Sequence, residues 1–338
     1  MKNKFYRNTI ILTVVALMAI VIPSILISAG VINKYLSYNI TLAGINALLA
    51  ISVNMICGIT GQLSLGQAGF QALGAYGVVI LTAKCGIPLP LSILLGGCFS
   101  AFAGFLIGFP TLKLEGDYLA IVTLAFGEII RILLVNLKDV TGGPNGMSFK
   151  TILSSKQHGA LVSYLVVIGI LVLVIVLLQN FIRSTYGRAI LAVREDEIAA
   201  NSSGINIFKY KMTGFVIASF IAGISGALYA ALVGYIKPEL AGFDNSINGL
   251  IYVVLGGMGS VTGSVVAAFV LTLLQEFLRF LADFRLLIYP VILIIVMLFR
   301  PQGIFGKKEI SFVKAYEWVV SKFQSKKTKA CKNNGGEE

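Results

Sequence analysis

The chain has 338 residues, of which 57% are hydrophobic and only 12% charged, with a formal charge of +12. Soluble domains carry about 25% charged residues, so this shortfall argues against an ordinary soluble enzyme and places the chain among membrane proteins. The positive charge does not point to nucleic acid: lysines and arginines sit at the amino end, in a middle loop and in a lysine-rich tail, separated by apolar runs, which is the pattern of positive-inside anchoring.

Counted in spans of about 20 residues, the sequence predicts an all-α polytopic membrane protein of about ten transmembrane helices, at 9–28, 38–57, 62–83, 91–109, 118–136, 161–182, 212–235, 246–260, 261–280 and 286–300. Residues 1–300 then form a single transmembrane domain and 301–338 a basic cytoplasmic tail. The first run follows Lys2, Lys4 and Arg7. Its apolar core is too long for a signal peptide, so it is expected to stay as a span. With the amino end inside, 18 Lys and Arg residues fall on the inner side and 8 on the outer; the tail and the loop 183–211 decide the orientation, which puts both termini on the cytoplasmic side.

The stretch "GITGQLSLGQAGFQALGAYG" (58–77) joins the second and third predicted spans and contains Gly61, Gly66 and Gly69. The spacing of Gly61 and Gly66 imitates a phosphate loop, but Gln67 and Ala68 stand where that loop needs Lys and then Ser or Thr. Read as a helix, Ser64, Ala68 and Ala72 make a small-residue ridge for close helix approach. Ser64, Gln67 and Gln71 then share nearly one face. They are expected to meet a cavity or a partner helix, or to bond neighbouring backbone, rather than to face lipid.

In the span 118–136, Glu128 and Arg131 lie three residues apart and can pair. They either line a pathway or gate, or lock helices together. The loop 136–160 contains the turn-rich "TGGPNG". The segment 164–182, nearly all Leu, Val and Ile, is expected to face lipid.

The loop "RSTYGRAILAVREDEIAANSSGINIFKYK" (183–211) is the most polar stretch before the tail. A short helix is expected over Glu195–Ser202 with Gly204 as its C-cap, and Ile190, Val193 and Ile198 as apolar bumps on a charged surface. Such an element either docks into a soluble partner or is a solvated connector. Further on, "GGMGSVTGS" (256–264) repeats the order of apolar run, glycine-rich break and small-residue helix, with Gly256, Gly257, Gly259 and Gly263. Broken helices at matching places in two halves point toward a substrate pathway, or these glycines, with Gly61, Gly66 and Gly69, are helix-packing and turn residues.

Taken in order, "GQLSLGQAGFQALGAY", "LKLEGDYLAIVTLAFGEIIRIL", "TGGPNGM", "GRAILAVREDEIAANSSGIN", "GFVIASFIAGISGALYA", "LGGMGSVTGSVVAA" and "FRPQGIFG" resemble the branched-chain amino acid ABC transporter permeases of the LivM type, over roughly 40–306. The resemblance implies a fold like the larger ABC importer permeases, with glycine-broken segments near 58–67 and 256–264. It implies a second, LivH-type permease, two cytoplasmic ATPases and an extracytoplasmic binding protein that delivers Leu, Ile or Val. It also implies that ATP and Mg bind the partner subunits and no cofactor binds this chain. The loop becomes a coupling helix, with Arg194, Glu195, Asp196, Glu197, Ala199, Ala200 and Gly204 toward the ATPase. The permease loop pattern E-A-A-x-x-x-G is matched by Ala199, Ala200 and Gly204, with its acid, Glu197, one place early. A permease of the same transporter family for urea or short amides, or for other amino acids, is the alternative. With one histidine, His158, and no nucleophile–base pair, no metal site or enzyme chemistry is expected.

Overall fold

The computed structural model describes residues 33–280 except 115, 150–152 and 154–158, together with isolated positions on either side. Apart from such positions, the predicted spans 9–28 and 286–300 and the tail 301–338 lie outside the described residues.

The described chain is helical almost throughout. Helix α1 (Lys34–Val53) continues as a wider π-helical turn over Asn54–Ile59. It is followed by α2 (Gln67–Ala83), α3 (Leu89–Thr111), α4 (Asp117–Asn136), the single turn α5 (Lys138–Thr141), α6 (Gly159–Arg183), α7 (Thr185–Glu195), α8 (Glu197–Ser202), α9 (Ile207–Val233), α10 (Phe243–Gly256) and α11 (Val261–Phe277). Many boundaries have local causes. Ser184, Asp196, Asn206 and Ser260 each accept a hydrogen bond from the first turn of α7, α8, α9 and α11 respectively, which satisfies one otherwise orphaned backbone donor. Gly234, in the left-handed conformation, ends α9.

Among the described residues six helices are long and apolar enough to cross a membrane: Lys34–Ile59, Leu89–Thr111, Asp117–Asn136, Ala160–Arg183, Ile207–Val233 and Val261–Phe280. The expected spans 62–83 and 246–260 are instead the shorter helices α2, of 17 residues, and α10, of 14. At about 1.5 Å per residue these reach about 26 and 21 Å, short of the roughly 30 Å hydrocarbon layer. Residues 60–66 are non-helical, so Ser64 precedes α2 and the helical face proposed for Ser64, Gln67 and Gln71 holds only for the two glutamines.

Helix α9 is the axis of the bundle and packs on α1, α2 and α3; α1 in turn carries α6, α10 and α11. The most apolar windows of Lys34–Ile59 and Ile207–Val233 are 83% and 72% buried, against 39% for α3, α4 and α6, so α1 and α9 are the innermost of the six long helices, and the shorter α2 lies in the interior with them. Helix α6 does not simply face lipid as its composition suggests. Tyr164, Val167, Ile168, Leu171, Val174 and Leu178 form a buried stripe at helical spacing, while Leu173 and Leu177 are exposed.

The ends of the helices sort into two groups. At one end Lys84 donates to the Asp139 carbonyl, Arg279 to the Tyr35 hydroxyl, and β1 (Met147–Ser148) pairs antiparallel with β2 (Tyr235–Ile236). At the other, the loop after α6 meets the segments after α1 and α10, through Arg194, Gly58 and Gly259.

Candidate functional site

Gln67 and Gln71 are fully buried and reach across helices. Gln71 Nε2 donates to Ser225 Oγ at 3.3 Å, and that hydroxyl donates to the Ile45 carbonyl at 3.1 Å. Nearer the other end, Ser52 Oγ lies 2.8 Å from both Gln67 Oε1 and the Ala218 carbonyl. A hydroxyl has one proton. Turning the amide lets the Gln67 NH2 group, otherwise unpartnered, donate to Ser52 and leaves the proton for Ala218. These two polar rungs tie α1, α2 and α9 together. A third, from Ser100 Oγ to the carbonyls of Phe70 and Ser219 at 2.9 and 2.8 Å, adds α3. Interhelical hydrogen bonds inside membranes contribute only about 0.6 kcal/mol each, so the rungs fix register more than they hold the helices together.

Cohesion comes from contacts that only small residues permit. A Cβ on Gly226 would run into the Gln71 carbonyl, one on Gly74 into Gly223, and one on Gly223 would sit 3.0 Å from Gly97 Cα. The spacing of Ala218, Ala222 and Gly226, and of Ser219, Gly223 and Ala227, carries this signal in the sequence, though the expectation centred on the 58–77 stretch. There, Gly69 packs on Gly127 and Gly66 against the Thr123 carbonyl. Gly256 and Gly263 abut where α10 and α11 cross. Gly61, Gly257 and Gly259 have φ of +73°, +106° and +93° and so form backbone turns as well as close contacts. Ser64 is buried with an unpartnered hydroxyl.

The segments after α1 and α10 meet. Asn54 Oδ1 accepts from the Gly259 N–H at 2.8 Å, and Gly58 lies directly against Gly259. Glu128 and Arg131 pair with each other at 2.6 Å on α4, each side chain about one-third exposed.

The loop 183–211 forms two helices, not one. Asp196 separates them and spends its carboxylate on the Ala199 N–H at 2.9 Å, capping α8. Arg194 turns inward: Nη1 donates to the Gly58 carbonyl at 2.6 Å and Nη2 meets Glu195 at 3.1 Å. Glu197 pairs with Lys211 at 2.6 Å on α9. Ile190 and Val193 are buried rather than protruding, because their face of α7 packs against the bundle. Ile198 alone of the three expected bumps protrudes, 82% exposed. Ala200 is buried, Ala199 is exposed, and Gly204 is exposed with φ +79° at the end of α8. Beside it, Asn201, Ile205 and Phe208 line a shallow depression.

Several long apolar helices joined at buried polar rungs, with a capped polar loop at one end, define a multi-pass membrane protein. The family model "Branched-chain amino acid transport system / permease component" matches residues 35–299, and the chain belongs to that family. The chain is 38% identical to the high-affinity branched-chain amino acid transport system permease protein LivM of Salmonella typhimurium, over 78% of this chain and 68% of the relative. The LivM protein of Escherichia coli K12 matches to the same extent. The permease protein BraD of Pseudomonas aeruginosa is 28% identical, with 81% of this chain and 95% of the relative covered. No solved structure matches.

Proposed function

We propose that the chain is the permease subunit of an ATP-driven ABC importer for the branched-chain amino acids Leu, Ile and Val. The observation that carries this reading is the 38% identity to LivM-named permeases over 78% of the chain. The chain forms the translocation pathway with a second, LivH-type permease. An extracytoplasmic binding protein delivers substrate, and two cytoplasmic ATPase subunits bind ATP and Mg and carry out the hydrolysis. Residues 1–300 are one transmembrane domain of about ten helices, broken by glycines near 58–67 and 256–264, and the tail 301–338 is cytoplasmic. Both termini lie in the cytoplasm of the bacterial inner membrane.

The loop with α7 and α8 is the surface that meets an ATPase. Ile198 supplies the apolar knob, with Ala199 and Gly204 exposed beside it. Asp196, Glu197 and Ala200 shape the loop: Asp196 caps α8, Glu197 ties it to Lys211, and Ala200 seats it, while Glu195, paired with Arg194, stays largely exposed. Conformational switching requires bistable packing, which closely approaching small-residue helices allow.

Uptake of labelled leucine and urea in cells lacking this subunit tests the assignment. Leucine uptake should fall at least tenfold and return when the subunit is restored, with urea uptake unaffected. Unchanged leucine uptake with lost urea uptake would favour the amide-permease alternative.

A further inference from the structure

We propose that Arg194 is a positioning residue that transmits movement of the α7–α8 loop to the junction of the two helix interruptions; this rests on the importer reading, in which that loop meets an ATPase. The sequence pattern puts Arg194 among the outward-facing loop residues, but only 19% of its side chain is exposed. Its guanidinium donates to the Gly58 carbonyl at 2.6 Å, at the last turn before the interruption 60–66. Its stem crosses the left-handed turn at Gly61, where a Cβ would stand 2.7 Å from Arg194 Cγ. A Cβ on Gly259 would stand 3.3 Å from Arg194 Nη1, so the same head group also covers the second interruption, 257–260.

The two interruptions are themselves joined by Asn54 Oδ1 and the Gly259 N–H. Arg194 therefore touches both ends of one joint. It stands in the last turn of α7, where a cation is favoured by the helix dipole, and two residues before Asp196, the cap of α8. A displacement of α8 pulls on Asp196 and thus on Arg194. The rigid planar fork of guanidinium donors resists rotation better than a single ammonium would. The carbonyl it holds belongs to a π-helical turn, whose loosened hydrogen-bond ladder is the easiest part of α1 to rearrange. The loop therefore has a direct bond to the weakest point of the innermost helix.

The test uses the complete transporter in proteoliposomes, with the second permease, both ATPases and leucine-loaded binding protein, reading leucine moved per ATP hydrolysed. Arg194→Met keeps a stem over Gly61 and removes the donors. It should assemble and hydrolyse ATP within about twofold of wild type, yet move at least tenfold less leucine per ATP. Arg194→Lys, which keeps one donor for Gly58, should recover at least a quarter of the wild-type ratio. Lys113→Ala removes a cation outside that loop, in the turn between α3 and α4, whose ammonium stands 5.3 Å from the centre of the Phe109 ring, and should leave the ratio unchanged. A wild-type ratio in Arg194→Met, an equal loss in Lys113→Ala, a lysine variant as uncoupled as the methionine one, or loss of ATPase co-purification in Arg194→Met would each overturn the proposal. Absence of leucine uptake in the wild-type complex would instead refute the importer reading.

Discussion

Asn54 and Gly259, 205 positions apart in sequence, are joined by a 2.8 Å hydrogen bond from the glycine N–H to the asparagine carbonyl oxygen. Asn54 is fully buried. Replacing it by Ala leaves the Gly259 N–H without its partner at a part-buried site, a loss of about 1 kcal/mol. Asn54→Ala should lower the midpoint of thermal unfolding in detergent by several degrees, whereas Asn136→Ala, on an exposed helix end, should leave it unchanged.

Close approach of α2 to its neighbours makes the second prediction. Ala68 has no exposed surface. Ala68→Leu adds three carbons to a filled site, an overpacking that costs about 1–3 kcal/mol, and it should block uptake by wedging helices apart. Gly226→Ala should be worse, because its Cβ meets the rigid Gln71 carbonyl, while Gly86→Ala meets nothing within 4 Å and suffers only the strain of φ +67°. Membrane abundance and leucine uptake of the three variants, compared in one strain, check this ranking.

The α8 loop makes the third. Proline cannot adopt the φ of +79° found at Gly204, and Glu197→Lys sets a cation against Lys211 in place of an ion pair. Both variants should reach the membrane and hydrolyse ATP while leucine uptake falls at least fivefold. Normal uptake in both would remove the loop from the coupling path.

Glu128 and Arg131 make the fourth. Pairs this exposed are worth about 0–1 kcal/mol, so Glu128→Gln should keep uptake within twofold. Glu128→Lys places two cations on one face of α4 and should reduce the amount of protein in the membrane, measured by immunoblot. A large uptake loss in Glu128→Gln at normal abundance would move the pair from structure to pathway.

Composition alone was enough to read the membrane class, and caps such as Gly204 and the apolar runs were enough to place most helices. Three features were not legible. The sequence places a break near 58–67 but starts the next span at 62 and takes Ser64 into it, because nothing local announces that the ladder widens at Asn54 and that the helix resumes only at Gln67; the partners of this turn, Arg194 and Gly259, lie far away in sequence. The charges of Arg194, Asp196 and Glu197 look like a solvated face, yet each is engaged by a partner within the chain. Ile190 and Val193 look like docking bumps because burial against the bundle cannot be read from a polar loop. The glutamine rungs were half legible: their cost in lipid demands partners, but the identity of Ser52 and Ser225 required the fold.

Helix α9 runs unbroken from its Asn206 cap to Gly234, immediately before the two-residue ladder between Tyr235–Ile236 and Met147–Ser148. At about 1.5 Å per residue its 27 residues form a rod of about 40 Å. Pivoted at one end, such a rod turns a tilt of about 10° into a swing of about 7 Å at the other. Lys211, which grips Glu197 of α8, sits near one tip, and the ladder hangs from the other. One continuous rod thus ties the α8 contact at one face to the strand ladder at the opposite one.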